Sequence, residues 1–225
     1  MQQLNISKLK YVLFDWDNTL AESRTSLVYA VDKVLANYGL PCWEVSKEKR
    51  NRNLSFKDNF PLIFGDKAKE AYEEYREIYK QIVINKITTF DKVPEVIKFF
   101  LEHKVRLIIM TNKERCLLEY ELPLLFEKNN FYKIVCGHEA PADKPDGQHA
   151  LYALKGLLKP EEINRDNVWI IGDSPQDSSV ALSIGALPIR INKSIWGDGI
   201  QEKDSRIIWV ENFSKLLKLL KLAKN

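Results

Sequence analysis

A small set of polar residues in this chain combines suggestive chemistry with suggestive spacing: Asp15 and Asp17, Thr111 and Asn112, Lys144, and Asp173 with Asp177. Each alone has an ordinary explanation. An Asp-x-Asp pair in a chain that is 29% charged is commonly a solvated turn. A lysine before proline sits most often on the surface, and Asp173, following Gly172, could open a loop and cap the next helix. What sets them apart is position. Asp15, Thr111 and Asp173 each end an apolar run or follow one directly, Lys144 follows another within Ala142-Asp143-Lys144-Pro145, and Asp177 lies a helical turn beyond Asp173. In open α/β sheets ligands bind outside the carboxyl ends of the strands, so these positions converge on one edge.

Electrostatics then says what the set needs. Two carboxylates about 4 Å apart repel by ~4 kcal/mol at an effective dielectric of ~20. Gathering Asp15, Asp17 and Asp173 without a counter-charge would use up much of the ~5–15 kcal/mol that holds a domain together. A hard divalent cation removes that cost, and Lys144 offsets more of it. An all-oxygen site with room for water and phosphate suits Mg²⁺ better than zinc. The expected cofactor is Mg²⁺.

The elements that must position these residues are legible as four short apolar runs, at 11–14, 107–110, 133–136 and 168–171. Runs of this kind, bounded by polar or turn residues, predict strands buried on both faces of a parallel sheet. Helical periodicity lies between them at 94–103, 147–158 and 178–184, the last closed by Gly185. A fifth strand is expected at 187–191 and a sixth at 206–210. The alternation predicts an α/β fold with a Rossmann-like open parallel sheet core.

Far more chain separates the first two strands than one crossover needs. Helices are expected there at 23–38, 44–49 and 67–84, so residues 22–88 read as an inserted α-helical cap domain and residues 1–21 and 89–225 as the α/β core. The tail, 212–223, sets Phe213, Leu216, Leu217, Leu219 and Leu220 among lysines; it reads as a helix docked on the sheet in preference to a membrane-surface helix.

Composition narrows the partners. A net charge of +3, from 34 basic and 31 acidic residues scattered along the chain, offers no stripe for nucleic acid. No apolar run is long enough to span a bilayer, and the first ten residues lack a signal-peptide stretch. Cys42, Cys116 and Cys136 form no disulfide framework, and with His103, His138 and His149 they show no zinc spacing. A cytoplasmic location is the expectation, and the oligomeric state is not legible.

Taken in order, Asp15-Trp16-Asp17-Asn18-Thr19-Leu20, Thr111-Asn112, Lys144-Pro145 and Gly172-Asp173-Ser174-Pro175-Gln176-Asp177 resemble the four motifs of the haloacid dehalogenase-like hydrolase superfamily, in its phosphoglycolate-phosphatase-like branch with a helical cap. The resemblance implies a phosphatase acting on a small phosphorylated metabolite through an aspartyl-phosphate intermediate. It implies that Asp15 is the nucleophile and Asp17 the acid and base. Thr111 and Asn112 would meet the substrate, and Lys144 would balance charge. Mg²⁺ would be held by Asp15, Asp173 and the backbone carbonyl of Asp17, with Asp177 ligating through water or bracing Lys144. Asn18 stands where the family most often has Gly, but Asn tolerates a left-handed backbone. Glu22 replaces a common Asp, and the Trp16 ring is expected to pack at the cap boundary.

A dehalogenase shares fold and nucleophile but needs no leaving-group acid, which the presence of Asp17 disfavours. A phosphomutase or phosphotransferase of the same branch differs chiefly in the acceptor. A phospho-acceptor receiver domain places its aspartate after the third strand and carries no cap, and a non-catalytic scaffold has no use for the full set. Arg50, Arg52 and Lys57 fall in the cap, where they either read an anionic substrate or are simply solvated.

Overall fold

The protein is described by a computed structural model over residues 4–44, 51, 54–191 and 204–223. Its centre is a six-stranded, wholly parallel sheet in the order β3-β2-β1-β4-β5-β6. The strands are β1 (Tyr11–Phe14), β2 (Arg106–Met110), β3 (Lys133–Val135), β4 (Val168–Gly172), β5 (Leu187–Ile191) and β6 (Ile208–Val210). The helices are α1 (Arg24–Asn37), α2 (Phe60–Phe64), α3 (Ala68–Val83), α4 (Val93–Glu102), α5 (Arg115–Leu125), α6 (Gln148–Leu154), α7 (Pro175–Ser183) and α8 (Phe213–Leu222).

The apolar runs are continuous because each strand buries both sides. Val12 and Phe14 of β1, Leu107 and Ile109 of β2, and Trp169 and Ile171 of β4 join one core with α4, α5 and α8. The alternate residues Tyr11, Leu13, Ile108, Met110, Val168 and Ile170 join a second core with α6 and α7. Strand order reverses direction at β1, whose two neighbours are β2 and β4, in register Phe14 with Ile109 and Phe14 with Ile171. That reversal opens the crevice in which such sheets bind ligands.

Between β1 and α4 the chain makes α1, α2 and α3, with α1 and α2 packed on α3. It departs and returns at neighbouring points: Ala21 bridges Thr89, and the Glu22 N–H donates to the Thr88 carbonyl at 2.8 Å. The helix expected at 44–49 lies, from residue 45 onward, outside the described residues.

Three expectations shift. The helix read as 178–184 starts at Pro175, because Ser174 and Asp177 form a capping box in front of it. The one read as 147–158 stops at Leu154. Helix α5 had no counterpart in the sequence reading: Pro123 in its last turn reads as a stop. The tail does dock. Asn212 caps α8 by accepting from the Lys215 N–H at 2.9 Å, and Phe213, Leu216 and Leu220 are buried against the sheet's first core, with α4 alongside. Among the described residues no helix is long and apolar enough to cross a membrane.

Because Leu216 is fully buried, Leu216→Ala should cost about 2–5 kcal/mol in urea unfolding. A cost near zero would mean that α8 is dispensable to the core.

Candidate active site

Asp15 stands one residue past β1, its N–H donating to the Ile171 carbonyl at 3.0 Å, so strand pairing fixes its backbone. Its carboxylate accepts from Lys144 Nζ at 2.6 Å and from Thr19 Oγ1 at 3.3 Å. The same ammonium donates to Asp177 Oδ1 at 2.7 Å. Asp177 Oδ2 in turn accepts from the Ser174 N–H at 3.0 Å and the Ser174 hydroxyl at 2.7 Å. Gly172 makes room for this: a Cβ there would lie 2.1 Å from Asp177 Cγ. Asp177 thus contacts Lys144 directly.

Asp173 follows β4, buried, and its Oδ2 accepts from Asn18 Nδ2 at 2.8 Å. Asn18 adopts φ 58°, the left-handed turn that its type tolerates. Lys144 is held by its backbone as well. The Asn112 amide donates to the Lys144 carbonyl at 2.8 Å and accepts from the Lys144 N–H at 3.0 Å. Asn112, expected against substrate, clamps the lysine loop and also lines the cleft beside Asp15. Thr111, buried at the end of β2, accepts from the Lys113 N–H at 3.2 Å. His149 Nδ1 lies 3.2 Å from the Lys144 N–H and accepts from it, which requires that nitrogen to be unprotonated.

Carboxylate oxygens of Asp15, Asp173 and Asp177 lie within 4.8 Å of one another, all three residues buried. Against these three acids stands the Lys144 ammonium. Burial would depress that ammonium, but Asp15 and Asp177 hold it above its ordinary range. Burial pushes Asp15 up to about 6 despite Lys144, with the charge of Asp177 adding to the rise. A carboxylate raised in this way is one that a hard cation would return to its ionised form. The all-oxygen donor set, compact and buried, fits Mg²⁺.

The sequence profile of the family "Haloacid dehalogenase-like hydrolase" matches residues 12–190. The chain belongs to that family. A relative from Caldanaerobacter subterraneus subsp. tengcongensis, provisionally named pyrophosphatase PpaX, is 27% identical over 223 residues, covering 95% of this chain and 96% of its own. The phosphoglycolate phosphatase of Pseudomonas savastanoi pv. phaseolicola is 25% identical over 232 residues, covering 96% and 82%. Among solved structures, CbbY from Rhodobacter sphaeroides in complex with phosphate superposes with a TM-score of 0.77 at 16% identity, over 95% of this chain and 99% of that one. The hydrolase lies in the phosphoglycolate-phosphatase-like branch.

Around Asp17 the hydrolase carries a network that sequence reading missed. Asp17 Oδ1 accepts from the Ser23 hydroxyl at 2.6 Å and from Lys113 Nζ at 2.7 Å. Lys113, almost wholly buried, also donates to the Tyr79 hydroxyl at 3.1 Å and lies 2.8 Å from Glu121 Oε1. Glu121 Oε2 accepts from the Trp16 indole at 2.6 Å, so that ring runs beneath α5, edge-on to Phe126. Burial, opposed by the Asp17 and Glu121 charges, leaves Lys113 well above its ordinary range. Position was the available signal: Lys113 directly follows Thr111-Asn112. Arg190, hidden inside the β5 run, donates to the Asp173 carbonyl at 2.8 Å. Of the cations expected in a cap, Lys57 pairs with Glu114 at the start of α5, and Arg50 and Arg52 lie outside the described residues.

Lys113→Met leaves Asp17 and Glu121 facing each other without a cation. It should cost about 3–5 kcal/mol in denaturant unfolding, and adding Glu121→Leu should restore much of that. No recovery in the double variant would mean that Lys113 matters for packing and not for charge.

His149 makes a separate pH prediction. Burial, then the Lys144 charge, lower it from 6.5 to about 4. The unfolded chain therefore takes up this proton first, and the stability His149 contributes is present above pH 6.5 and lost as pH falls toward 4. At ~1.4 kcal/mol per unit, the stability difference between wild type and His149→Gln should shift by about 3 kcal/mol across that window. A difference that stays flat with pH would show that His149 is not held neutral.

Proposed function

We propose that this hydrolase is a Mg²⁺-dependent phosphatase that cleaves phosphomonoesters of a small metabolite through an aspartyl-phosphate on Asp15. The observation that carries the reading is the placement of Asp15. It sits at the strand-order reversal, with one oxygen on Lys144 and the other on the Thr19 hydroxyl, beside the acidic cluster. The names of the curated relatives support phosphate chemistry.

In this reading the Asp15 carboxylate attacks phosphorus and the ester oxygen departs, protonated by Asp17; water then attacks the acyl phosphate, with Asp17 taking its proton. Thr111 holds a phosphoryl oxygen, and Lys144 keeps Asp15 ionised and offsets phosphate charge. Mg²⁺ would be held by Asp15, the Asp17 carbonyl and Asp173, with Asp177 acting through Lys144; it supplies neutralisation of charge on the transferring group. Residues 22–88 serve as the cap over residues 1–21 and 89–225, excluding water while the acyl phosphate forms. The free cysteines suit a reducing, cytoplasmic setting.

Asp15→Asn should abolish turnover while the protein stays folded, and acid quench of wild type with radiolabelled acetyl phosphate should trap label on Asp15. Chelation should silence wild type and added Mg²⁺ should revive it. Near-normal turnover in the variant, or in excess chelator, would overturn the mechanism.

A further inference from the structure

Glu114 follows Thr111-Asn112-Lys113 directly and takes the N-cap position of α5. An acid there ordinarily accepts from the first-turn N–H groups of its own helix. Glu114 does not, for its side chain makes no capping bond. Both its oxygens turn instead to the helical segment after β1. Oε1 accepts from Lys57 Nζ, Oε2 accepts from the Tyr72 hydroxyl at 3.0 Å, and Arg76 Nε lies 3.9 Å from Oε2. That Arg76 nitrogen is buried and has no hydrogen-bond partner among the described residues, so the Glu114 charge helps offset its burial. Burial would raise the Glu114 carboxyl, but Lys57 and the Tyr72 hydroxyl hold it below its ordinary range.

The spacing on α3 explains the convergence. Tyr72, Arg76 and Tyr79 stand four and then three residues apart, on one face of the helix. Tyr79 accepts from Lys113 Nζ at 3.1 Å, so that face docks on two consecutive residues of the loop after β2. On another side of the cleft, Gln176 Nε2 in the first turn of α7 donates to the Leu54 carbonyl at 3.4 Å. Leu54, Lys57, Tyr72, Glu114 and Gln176 line the same cleft as Asp15 and Thr111. Apolar packing can slide, whereas a carboxylate held by two donors fixes direction as well as distance.

We infer that Glu114 is a positioning residue, the acceptor that fixes the helical segment over Asp15. Its oxygens are spent on Lys57 and Tyr72, so it acts through the segment that carries them and not on the substrate. Without it the segment swings about the crossings at Ala21 and Thr89, and water gains the cleft. The inference rests on the reading of residues 22–88 as a cap, and a distance tests it, so it and the phosphatase reading can fail separately.

Nitroxide labels on Cys42, exposed in the segment, and on Leu222→Cys, exposed at the end of α8, report the distance from segment to sheet in the full chain. Cys116→Ala removes the other exposed thiol, and Cys136 is buried. Pulsed dipolar spectroscopy of this protein with Mg²⁺ should give one narrow distance. In Glu114→Ala the ratio of longer to shorter distances should rise at least tenfold, the span of a lost bond to a charged group. Glu114→Gln, which keeps an acceptor for Tyr72, should fall between. Because Glu114 does not cap α5, neither change should unfold that helix. If the alanine variant nonetheless fails to fold, Lys57→Met, at a half-exposed side chain, should give the same shift. Unchanged distances in Glu114→Ala and Lys57→Met overturn the role of Glu114, whatever the turnover. Shifted distances in a protein that leaves acetyl phosphate unhydrolysed uphold that role and count against the phosphatase reading instead.

Discussion

A single buried ammonium organises the site. Lys144 Nζ bridges Asp15 and Asp177, three charges drawn from the ends of different elements into a largely buried volume at the base of the cleft. Burying any one of them alone would cost several kcal/mol, and their attraction repays that only with good geometry and the remaining lone pairs satisfied. Much of the local architecture meets that condition. Asn112 grips the lysine's backbone on both sides, His149 accepts its N–H, and Ser174 occupies the second oxygen of Asp177. Gly172 gives up a side chain so that Asp177 can come close. The last turn of one strand and the first turn of a helix thus answer to one cation.

The second buried lysine shows the same logic applied to a different problem. Lys113 ties Asp17 to Glu121 of α5 and to Tyr79 of α3, so one of the two motif carboxylates is wired to both the sheet side and the helical segment. Ser23, just before α1, holds the same oxygen. The two acids of Asp15-Trp16-Asp17 therefore experience different surroundings. Asp15 is bound to the core alone, whereas Asp17 registers where the helices after β1 lie.

The sheet was legible because strands buried on both faces must be apolar throughout, and five of the six keep nearly the boundaries read from residues 11–14, 107–110, 133–136, 168–171 and 187–191. Asp15, Thr111 and Asp173 were legible for the related reason that each marks where such a run ends. Lys113, Glu121 and Arg190 were not. A buried charge is recognisable only through its partner, and these partners lie far apart in sequence: Trp16 bonds Glu121, and Arg190 reaches back to Asp173. Helix α5 escaped for a local reason, since Pro123 argues against a helix that burial of Leu117, Leu118 and Leu122 nonetheless stabilises. Lys57, read either as facing an anionic substrate or as solvated, pairs with Glu114 from the distant start of α5, a partner that sequence order does not reveal.

The chain leaves the sheet at Ala21 and comes back at Thr89 to a position directly alongside, the two crossings joined like adjacent rungs of a ladder. For the sheet, everything between is a loop whose ends already touch, and lengthening such a loop costs entropy only logarithmically. The helices after β1 are therefore free to diverge, lengthen or be exchanged without disturbing strand register or the carboxylate cluster. Length can accumulate between those rungs at little entropic cost to the sheet that carries Asp15.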